Sequence, residues 1–284
     1  MLVLESKWVI EPPPSACFYR QEVYDFVRTF QVLDTPIGLL TMPKAIQTVT
    51  QWLREEGRCR LVTFANVHMV VEARLKPEFG DILRQTDLNC PDGSPLSWIG
   101  AALHGDKVSR VAGPDFMPLF CEQTVSQGYR HFFYGGGEGV AEKTARELML
   151  RYPGIKIAGQ YTPPFRQLTP QEDQQVCRQI SESGVDIVWV CLGCPKQEKW
   201  ILEHRNQLDA KVILAVGQAF DIVAGVRRRA PKLFRGLGME WAYRLFQEPG
   251  RLWKRYLFTN ALFIVWMFQC FLRSEIGMGR SIET

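Results

Sequence analysis

The sequence lacks several patterns that would assign it to a common class of enzyme. It contains no D-x-D motif, so the two-aspartate metal site with which many nucleotide-sugar enzymes hold a diphosphate is missing. It has no G-x-x-x-x-G-K-[ST] sequence either, so ATP hydrolysis by a P-loop is not supported. No internal repeat or low-complexity tract occurs, and with 46% hydrophobic and 23% charged residues the composition is that of an ordinary globular protein.

The cysteines and histidines form no metal or disulfide framework. Four histidines show no ligand spacing, and eight cysteines are scattered along the chain. Cys191 and Cys194 form a C-x-x-C, but a structural zinc site would need a second such pair or matching histidines. We therefore expect no metal and no cofactor, and we interpret the two thiols as packing residues. Because no signal-peptide pattern precedes the domain, a cytosolic, reduced chain is expected.

Positive charge is concentrated towards the C-terminus. The 284-residue chain has a net charge of +4, but residues 226–256 contain nine Lys or Arg and two Glu, which gives that segment +7 and leaves −3 for the rest. Such a basic patch predicts a phosphate-bearing or anionic-surface partner that meets the C-terminal region.

Short β-branched and aromatic runs alternate with amphipathic helical patterns from about Val32 onward. The runs are RLVTFA, RHFFY, GIKIAGQ, VDIVWVCLG and KVILAVG. Strands that are apolar on both faces and alternate with helices predict an α/β fold with a Rossmann-like, mainly parallel sheet and helices on both faces. We divide the chain into an N-terminal extension (1–30), this Rossmann-like domain (31–226) and a basic and apolar helical appendage (227–284).

Five loops directly follow strand-like runs. They are TFAN, NCPDGSPL, YGGGEG, LGCPKQE and VGQAFD. Because the working site of such a sheet lies at the carboxyl ends of its strands, we expect these loops to gather along one edge.

Each of these loops also has an ordinary structural interpretation. Gly136 and Gly137 could present backbone N–H groups to a diphosphate, or could simply form a tight strand-to-helix turn. Asp92 precedes a glycine, which is a turn signal, but a carboxylate at a strand end could also be a general base. Asn66 is suited to cap a helix, and Gln197, like Glu198 after it, has ordinary reasons to stand near a helix start.

Aromatic and apolar residues accompany the basic C-terminal segment. Trp241, Tyr243, Trp253 and Tyr256 are types that settle at a membrane interface. Residues 256–272 carry no charge over 17 positions, and such a helix would reach roughly 25 Å, the short limit of a span. We favour a helix in the cytoplasmic membrane face over a full span. Core or dimer packing stays open, and nucleic acid is disfavoured because the following residues are apolar.

The arginines of this segment fall on two predicted helices. Pro249 and Gly250 predict a break after the helix that carries Arg244. Arg251 and Arg255 are four residues apart and share one face of the next helix.

Six motifs occur in an order that is typical of one enzyme family: TFAN, PDG, GCPKQEKW, FDIVAG, RAP and EWAYRLFQEPGRLWKRY. On these motifs the chain resembles the WecG/TagA/CpsF family of bacterial glycosyltransferases, from about Phe30 to Phe258. The resemblance implies a membrane-associated, metal-independent transferase that inverts configuration. It would move an N-acetylmannosamine-type sugar or glucose from a UDP-sugar to a sugar on polyprenyl diphosphate, in surface polysaccharide synthesis.

The same resemblance implies a place and partners for the protein. It would act at the cytoplasmic face of the bacterial inner membrane, as a peripheral or monotopic protein, with the lipid surface as a partner. A homo-oligomer stays open. The donor sugar, the acceptor sugar and the polymer are not decided by any residue in the sequence.

The resemblance also implies roles for single residues. Asp92 would be the catalytic base, and Gln197 and Asn66 would hold the donor sugar beside it. Asp221 would face the uridine. The basic positions that would clasp phosphates are Arg244, Arg251 and Arg255. The family commonly has a threonine two residues before the asparagine. Here Thr63 lies three residues before Asn66, and residue 64 is Phe. We keep Thr63 as a substrate-binding candidate, although this departure from the family pattern argues against its role.

Two other functions stay open. A non-catalytic, membrane-tethered nucleotide-binding protein would keep the glycine turn and the basic tail but would not need Asp92. An NAD-dependent oxidoreductase would need G-x-G-x-x-G in the first strand-turn-helix unit, and GGGEG has neither that spacing nor that place.

Overall fold

The computed structural model describes residues 23–24 and 27–279, apart from the side chains at 23–24, 106, 232, 236, 251 and 273–279. Most of the predicted extension 1–30 lies outside the described residues. The strands are β1 (Val23–Tyr24), β2 (Val27–Val32), β3 (Thr35–Gly38), β4 (Arg60–Ala65), β5 (Leu88–Pro91), β6 (Arg130–Gly135), β7 (Lys156–Tyr161), β8 (Ile187–Cys191) and β9 (Val212–Ala215). The helices are α1 (Met42–Trp52), α2 (Val67–Leu75), α3 (Pro77–Gln85), α4 (Ser94–His104), α5 (Gly113–Val125), α6 (Val140–Arg151), α7 (Pro170–Glu182), α8 (Lys196–His204), α9 (Ala219–Val223), α10 (Lys232–Gly236), α11 (Glu240–Gln247) and α12 (Pro249–Gly279).

A parallel six-stranded sheet forms the centre of the molecule. Its strand order is β5-β4-β9-β8-β6-β7, and each neighbouring pair is parallel. The Rossmann-like α/β class predicted from the sequence is confirmed, and the run RLVTFA coincides with β4. Because the strands are parallel, the five loops that follow β4, β5, β6, β8 and β9 lie at the same edge, as expected.

Helices cover both faces of this sheet because its strands are apolar on both sides. In β8 the side chains of Ile187 and Trp189 join the core formed with α1, α5, α6 and α9. Val188 and Val190 point to the opposite face, where they pack with α7 and α8. The continuous apolar run of β8 is therefore explained by two cores that share one strand.

A small antiparallel sheet of β1, β2 and β3 lies beside the main sheet and was not predicted from the sequence. Its strand β3 packs against β5. Asn89 Nδ2 donates a hydrogen bond to the Pro36 carbonyl at 3.0 Å, and a Cβ added at Gly38 would lie 2.8 Å from Leu88 Cδ1. The small sheet thus covers the β5 edge of the main sheet.

The appendage contains the helices α10, α11 and α12. α11 ends at Gln247 and α12 begins at Pro249, so the predicted helix break after Arg244 is confirmed. One side of α12 packs against α2 and α11. Phe263, Trp266 and Cys270 are buried on that side.

The other side of α12 is apolar and exposed. Leu252–Leu272 is a 21-residue stretch that is long and apolar enough to cross a membrane by length and composition, with 22% of its most apolar window buried inside the protein. The large hydrophobic side chains exposed along it are Trp253, Leu257, Phe258, Ile264, Val265, Phe268, Phe271 and Leu272. The opposite side of the helix is held against α2.

Gly238→Ala is expected to loosen the appendage from α4. An added Cβ would lie 2.5 Å from a ring carbon of Trp98, and the φ of +71° at this position is strained for alanine. We expect the free energy of unfolding to fall by about 1–3 kcal/mol, and trypsin to cleave the appendage faster. Urea unfolding and limited proteolysis measure the two effects.

Gly250→Ala is the matched control for this substitution. It lies in the same appendage, but nothing is within 4 Å of a Cβ added there and its φ is unremarkable. If both variants behaved alike, the docking of the appendage through Gly238 would be contradicted.

Candidate active site

Asp92 and Asn66 lie next to each other at the ends of β5 and β4. The N–H groups of Asp92 and Gly93 donate to the Ala65 carbonyl at 2.8 and 3.3 Å, which draws the two loops together. A Cβ added at Gly93 would lie 3.5 Å from the Asn66 Cα atom. Asn66 also has its predicted structural role, since its side chain caps α2 by accepting from the Met69 N–H at 3.3 Å.

Asp92 is a half-buried carboxyl in a charged environment. Burial raises its pKa to about 6, while the charges of Arg244 and Arg110 favour the ionised form and limit the increase. Glu240 and Asp115 act in the opposite direction. A carboxylate whose pKa lies near 6 is ionised at neutral pH and still basic enough to accept a proton, which suits a general base.

Ion pairs connect the appendage to the domain directly beside Asp92. Arg110 donates to Glu240 of α11 at 2.6 Å and to Asp115 at 3.1 Å. Both terminal nitrogens of Arg229 bond to the Asp115 carboxylate. Arg244 bonds Glu240 at 3.2 Å. We call these residues, with Arg235 at 3.5 Å from Asp115, the Asp115 network. It holds Arg244 where its charge reaches Asp92, and a phosphate contact by Arg244 stays a prediction.

Gln197 stands at the start of α8 and is buried, with 5% of its surface exposed. Its Nε2 donates to Glu198 Oε1 at 2.8 Å and to the Ala215 carbonyl at 3.4 Å. Its Oε1 accepts from the Gly217 N–H at 3.2 Å. Gln197 therefore joins the turn after β8 to the loop after β9.

Asp221 lies in the first turn of α9, half-buried, beside the end of β8. Its charge acts on the thiol of Cys191, whose pKa is raised to about 12, mainly by burial. Arg227 of the appendage approaches it, with its Nε atom 4.0 Å from Asp221 Oδ2. Asp221 and Gln197 are thus brought to the middle of the strand-end edge, and Asp92 and Asn66 to its β5 side.

The glycine-rich turn after β6 has a clear structural reason for its composition. Gly135 has a φ of +108°, and a Cβ there would lie 2.4 Å from the Cys191 carbonyl oxygen. Gly136, with φ of +79°, donates its N–H to the same carbonyl at 2.7 Å. The N–H of Gly136 is therefore engaged within the protein, so diphosphate binding at this turn depends on Gly137 and the start of α6 and stays a prediction.

Thr63 lies below the strand ends, and Arg255 lies on the side of the site that α2 and α8 form. Thr63 is fully buried and donates to Asn89 Oδ1 at 2.5 Å, below the strand ends. Burial, and then the charge of Arg255, lower the pKa of His68 to about 4, which places Arg255 on the α2 side of the site. Arg251 lies on α12, but its side chain is outside the described residues.

The cysteines of the C-x-x-C motif are half-buried free thiols, in agreement with a packing role. A different group, Asp173, Cys177 and His204, brings ligand-type atoms within 4.8 Å of one another. His204 contacts the Trp200 carbonyl at 2.8 Å and Asp173 at 2.9 Å through its two ring nitrogens. Both ring nitrogens of His204 are therefore already engaged by oxygen atoms of the protein.

Two residues near the site were missed by the sequence analysis. Arg110 follows no recognisable signal, because only the fold brings it to Asp92 and Glu240. Glu198 was interpreted as an ordinary acid at a helix start, yet it is completely buried. The adjacency of Gln197 and Glu198 in GCPKQEKW was the available signal.

Comparison with known proteins identifies the family of the chain. The sequence matches the Glycosyl transferase WecG/TagA/CpsF family over residues 30–276. The chain belongs to this family. The match covers the parallel sheet and most of the appendage.

Three curated relatives of this WecG/TagA/CpsF member share one name, N-acetylglucosaminyldiphosphoundecaprenol N-acetyl-beta-D-mannosaminyltransferase. The protein from Bacillus spizizenii is 30% identical over 203 residues, 72% of this chain and 77% of the relative. The protein from Bacillus subtilis is 30% identical over 69% of this chain and 75% of its own length. A Staphylococcus aureus protein is 27% identical over 79% of this chain and 85% of its own length.

Arg244→Met is expected to raise the pKa of Asp92 above about 6, because it removes a positive charge that favours the carboxylate. An NMR titration of protein labelled at the aspartate carboxyls measures the change. Arg255→Met removes a charge from the same appendage but away from Asp92, and serves as the control. An unchanged pKa in the Arg244 variant would contradict the position of α11 over the end of β5.

Proposed function

We propose that the protein is an inverting, metal-independent glycosyltransferase that moves an N-acetylmannosamine-type sugar from a UDP-sugar to a sugar on polyprenyl diphosphate. The observation that carries the proposal is the position of Asp92, a carboxyl with raised pKa at the carboxyl edge of a parallel sheet, under an arginine-rich appendage. Family membership and the shared name of the relatives support the substrate class.

Asp92 has the chemistry of the catalytic base in this reaction. Its carboxylate takes the proton of the acceptor hydroxyl as that oxygen attacks the anomeric carbon. The new C–O bond forms while the bond to the UDP oxygen breaks, and UDP leaves with the electron pair. One displacement converts an α-linked donor into a β-linked product, which agrees with "beta" in the relatives' name.

The departing diphosphate needs positive charge, because the chain has no D-x-D motif to hold a metal there. Arg244 and Arg110 are near Asp92, and the appendage contributes further arginines. Fixed guanidinium groups can stabilise the negative charge that develops on the leaving oxygen. In this arrangement Asn66 and Gln197 hold the donor sugar, and Asp221 faces the uridine.

The acceptor requires contact with a membrane, and α12 offers the surface for it. Its exposed apolar side runs from Leu257 to Leu272, and Trp253 and Lys254 lie at its beginning. Such a helix can enter the interface while lysine and arginine meet lipid phosphates. We propose a peripheral or monotopic protein at the cytoplasmic face, where the lipid diphosphate reaches Asp92 beneath α11.

The rival function is a membrane-tethered nucleotide-binding protein without catalysis. It explains the appendage and the apolar side of α12 equally well. It gives no reason for a carboxyl group held near pKa 6 between Arg244 and Arg110, so the transferase is favoured.

A transfer assay tests the proposed reaction. UDP-N-acetylmannosamine with a short-chain polyprenyl-diphosphate N-acetylglucosamine is expected to give a β-linked disaccharide lipid, detected by mass spectrometry and NMR, with EDTA having no effect. Asp92→Asn should reduce turnover at least about 10²-fold. Failure of the wild-type protein with a full panel of UDP-sugars would refute the transferase, and a covalent sugar-enzyme adduct would refute single displacement.

The same assay has an expected pH dependence. The base works only when ionised, so turnover should fall as the pH drops through about 6, the pKa of Asp92. A rate that stays constant from pH 7 to well below 6 would show that another group takes the proton.

Substitution of Ile264, Phe268 and Phe271 by asparagine tests the membrane contact. Each side chain is an exposed apolar group on α12. Their loss is expected to reduce binding to anionic lipid vesicles more than tenfold, since an apolar side chain buried in lipid contributes on the order of 1.5–3 kcal/mol. Vesicle sedimentation measures this binding.

Phe165→Asn is the control, because Phe165 is fully exposed but lies on the loop before α7. Unchanged vesicle binding with a loss of dimers would instead assign this side of α12 to self-association.

A further inference from the structure

Glu198 is a completely buried carboxyl that the proposed reaction does not use. It lies in the first turn of α8, where an acid is usually exposed to solvent, yet none of its surface is accessible. Burying a carboxyl costs free energy unless its contacts compensate. The position therefore calls for a function that an exposed acid could not provide.

The contacts of Glu198 lead directly to Gln197. Glu198 Oε1 accepts the hydrogen bond from Gln197 Nε2 at 2.8 Å. Burial raises the pKa of Glu198 to about 7, against the opposing effect of that hydrogen bond. Ionised or neutral, the carboxyl keeps Oε1 as an acceptor for the amide.

This contact helps to set which way the amide of Gln197 faces. The two ends of a glutamine amide are nearly identical in shape, so their orientation is set by their partners. Glu198 Oε1 accepts from Nε2 at 2.8 Å, a shorter contact than the one from Nε2 to the Ala215 carbonyl at 3.4 Å, and Oε1 of Gln197 then accepts from the Gly217 N–H at 3.2 Å. Gly217 opens the loop that leads into α9 and Asp221. The orientation of the Gln197 amide therefore affects both Gln197 and Asp221, which are the two residues predicted to contact the donor here.

We propose that Glu198 is a positioning residue for the donor sugar, which acts by fixing the Gln197 amide and, through it, the loop between β9 and α9. The inference rests on the proposed transferase function. The charge of Arg255 on α12 also acts on Glu198. This effect connects the appendage to the donor side of the site.

Kinetics of Glu198→Ala and Glu198→Gln test the proposal. The alanine variant loses the acceptor for Nε2, so the KM for the UDP-sugar should rise about tenfold, as for one lost positioning hydrogen bond, while the acceptor KM stays within about twofold. The glutamine variant can still accept through its carbonyl oxygen and should restore the donor KM to within about twofold of wild type.

A double substitution tests whether Glu198 acts through Gln197. If it does, Glu198→Ala should add no further increase in donor KM to a protein that already carries Gln197→Ala. Additive effects of the two substitutions would overturn the proposed route.

Asp87→Asn is the control for loss of a buried carboxylate. Asp87 is buried at the opposite, amino-terminal edge of the sheet, where it bonds Arg58 at 2.8 Å and Arg60 at 3.2 Å. This variant should lower the melting temperature without changing the donor KM. If Glu198→Ala behaved like Asp87→Asn, with reduced stability and a wild-type donor KM, the positioning role would be overturned. If the wild-type protein transferred no sugar at all, the proposed function would fail first and this inference with it.

Discussion

The Asp115 network is the interaction on which the site depends. Asp115 lies in the first turn of α5 in the domain. Arg229 and Arg235 reach it from the segment after α9 and from α10. Arg110 forms an ion pair with Glu240 of α11 and so connects Asp115 to that helix. These groups are partly buried, so the loss of one partner would leave opposite charges uncompensated. The network therefore fixes α11 over the strand ends, together with the packing of α11 against α12.

The acidity of Asp92 follows from the same arrangement. Burial of Asp92 alone favours the neutral acid. Arg244 of the appendage and Arg110 of the domain restore the preference for the carboxylate. The two opposing effects leave a carboxyl that is ionised at neutral pH yet remains a useful base.

α12 is apolar on both sides, so one side packs in the protein core and the other side is exposed. Phe263 and Trp266 pack in the core with α2, whereas Ile264 and Phe268 are exposed. Because α12 is packed against the folded domain, its position relative to that domain is fixed. The site beneath α11 would then stay at a constant distance from a membrane surface, which suits a substrate whose diphosphate is attached to a lipid.

The sequence by itself determined five of the six strands of the main sheet and their order along the chain. Apolar runs such as that of β8 specify parallel strands, Pro249 specifies the break between α11 and α12, and Asn66 specifies the cap of α2, because these are local effects of backbone and periodicity. Asp92 and Arg244 were predicted from motifs. Only the tertiary structure decided that Arg110 meets Glu240 across 130 residues, that Thr63 points inward, and that Glu198 is buried. Such contacts arise when parallel strands bring distant loops to one edge, and no local pattern encodes them.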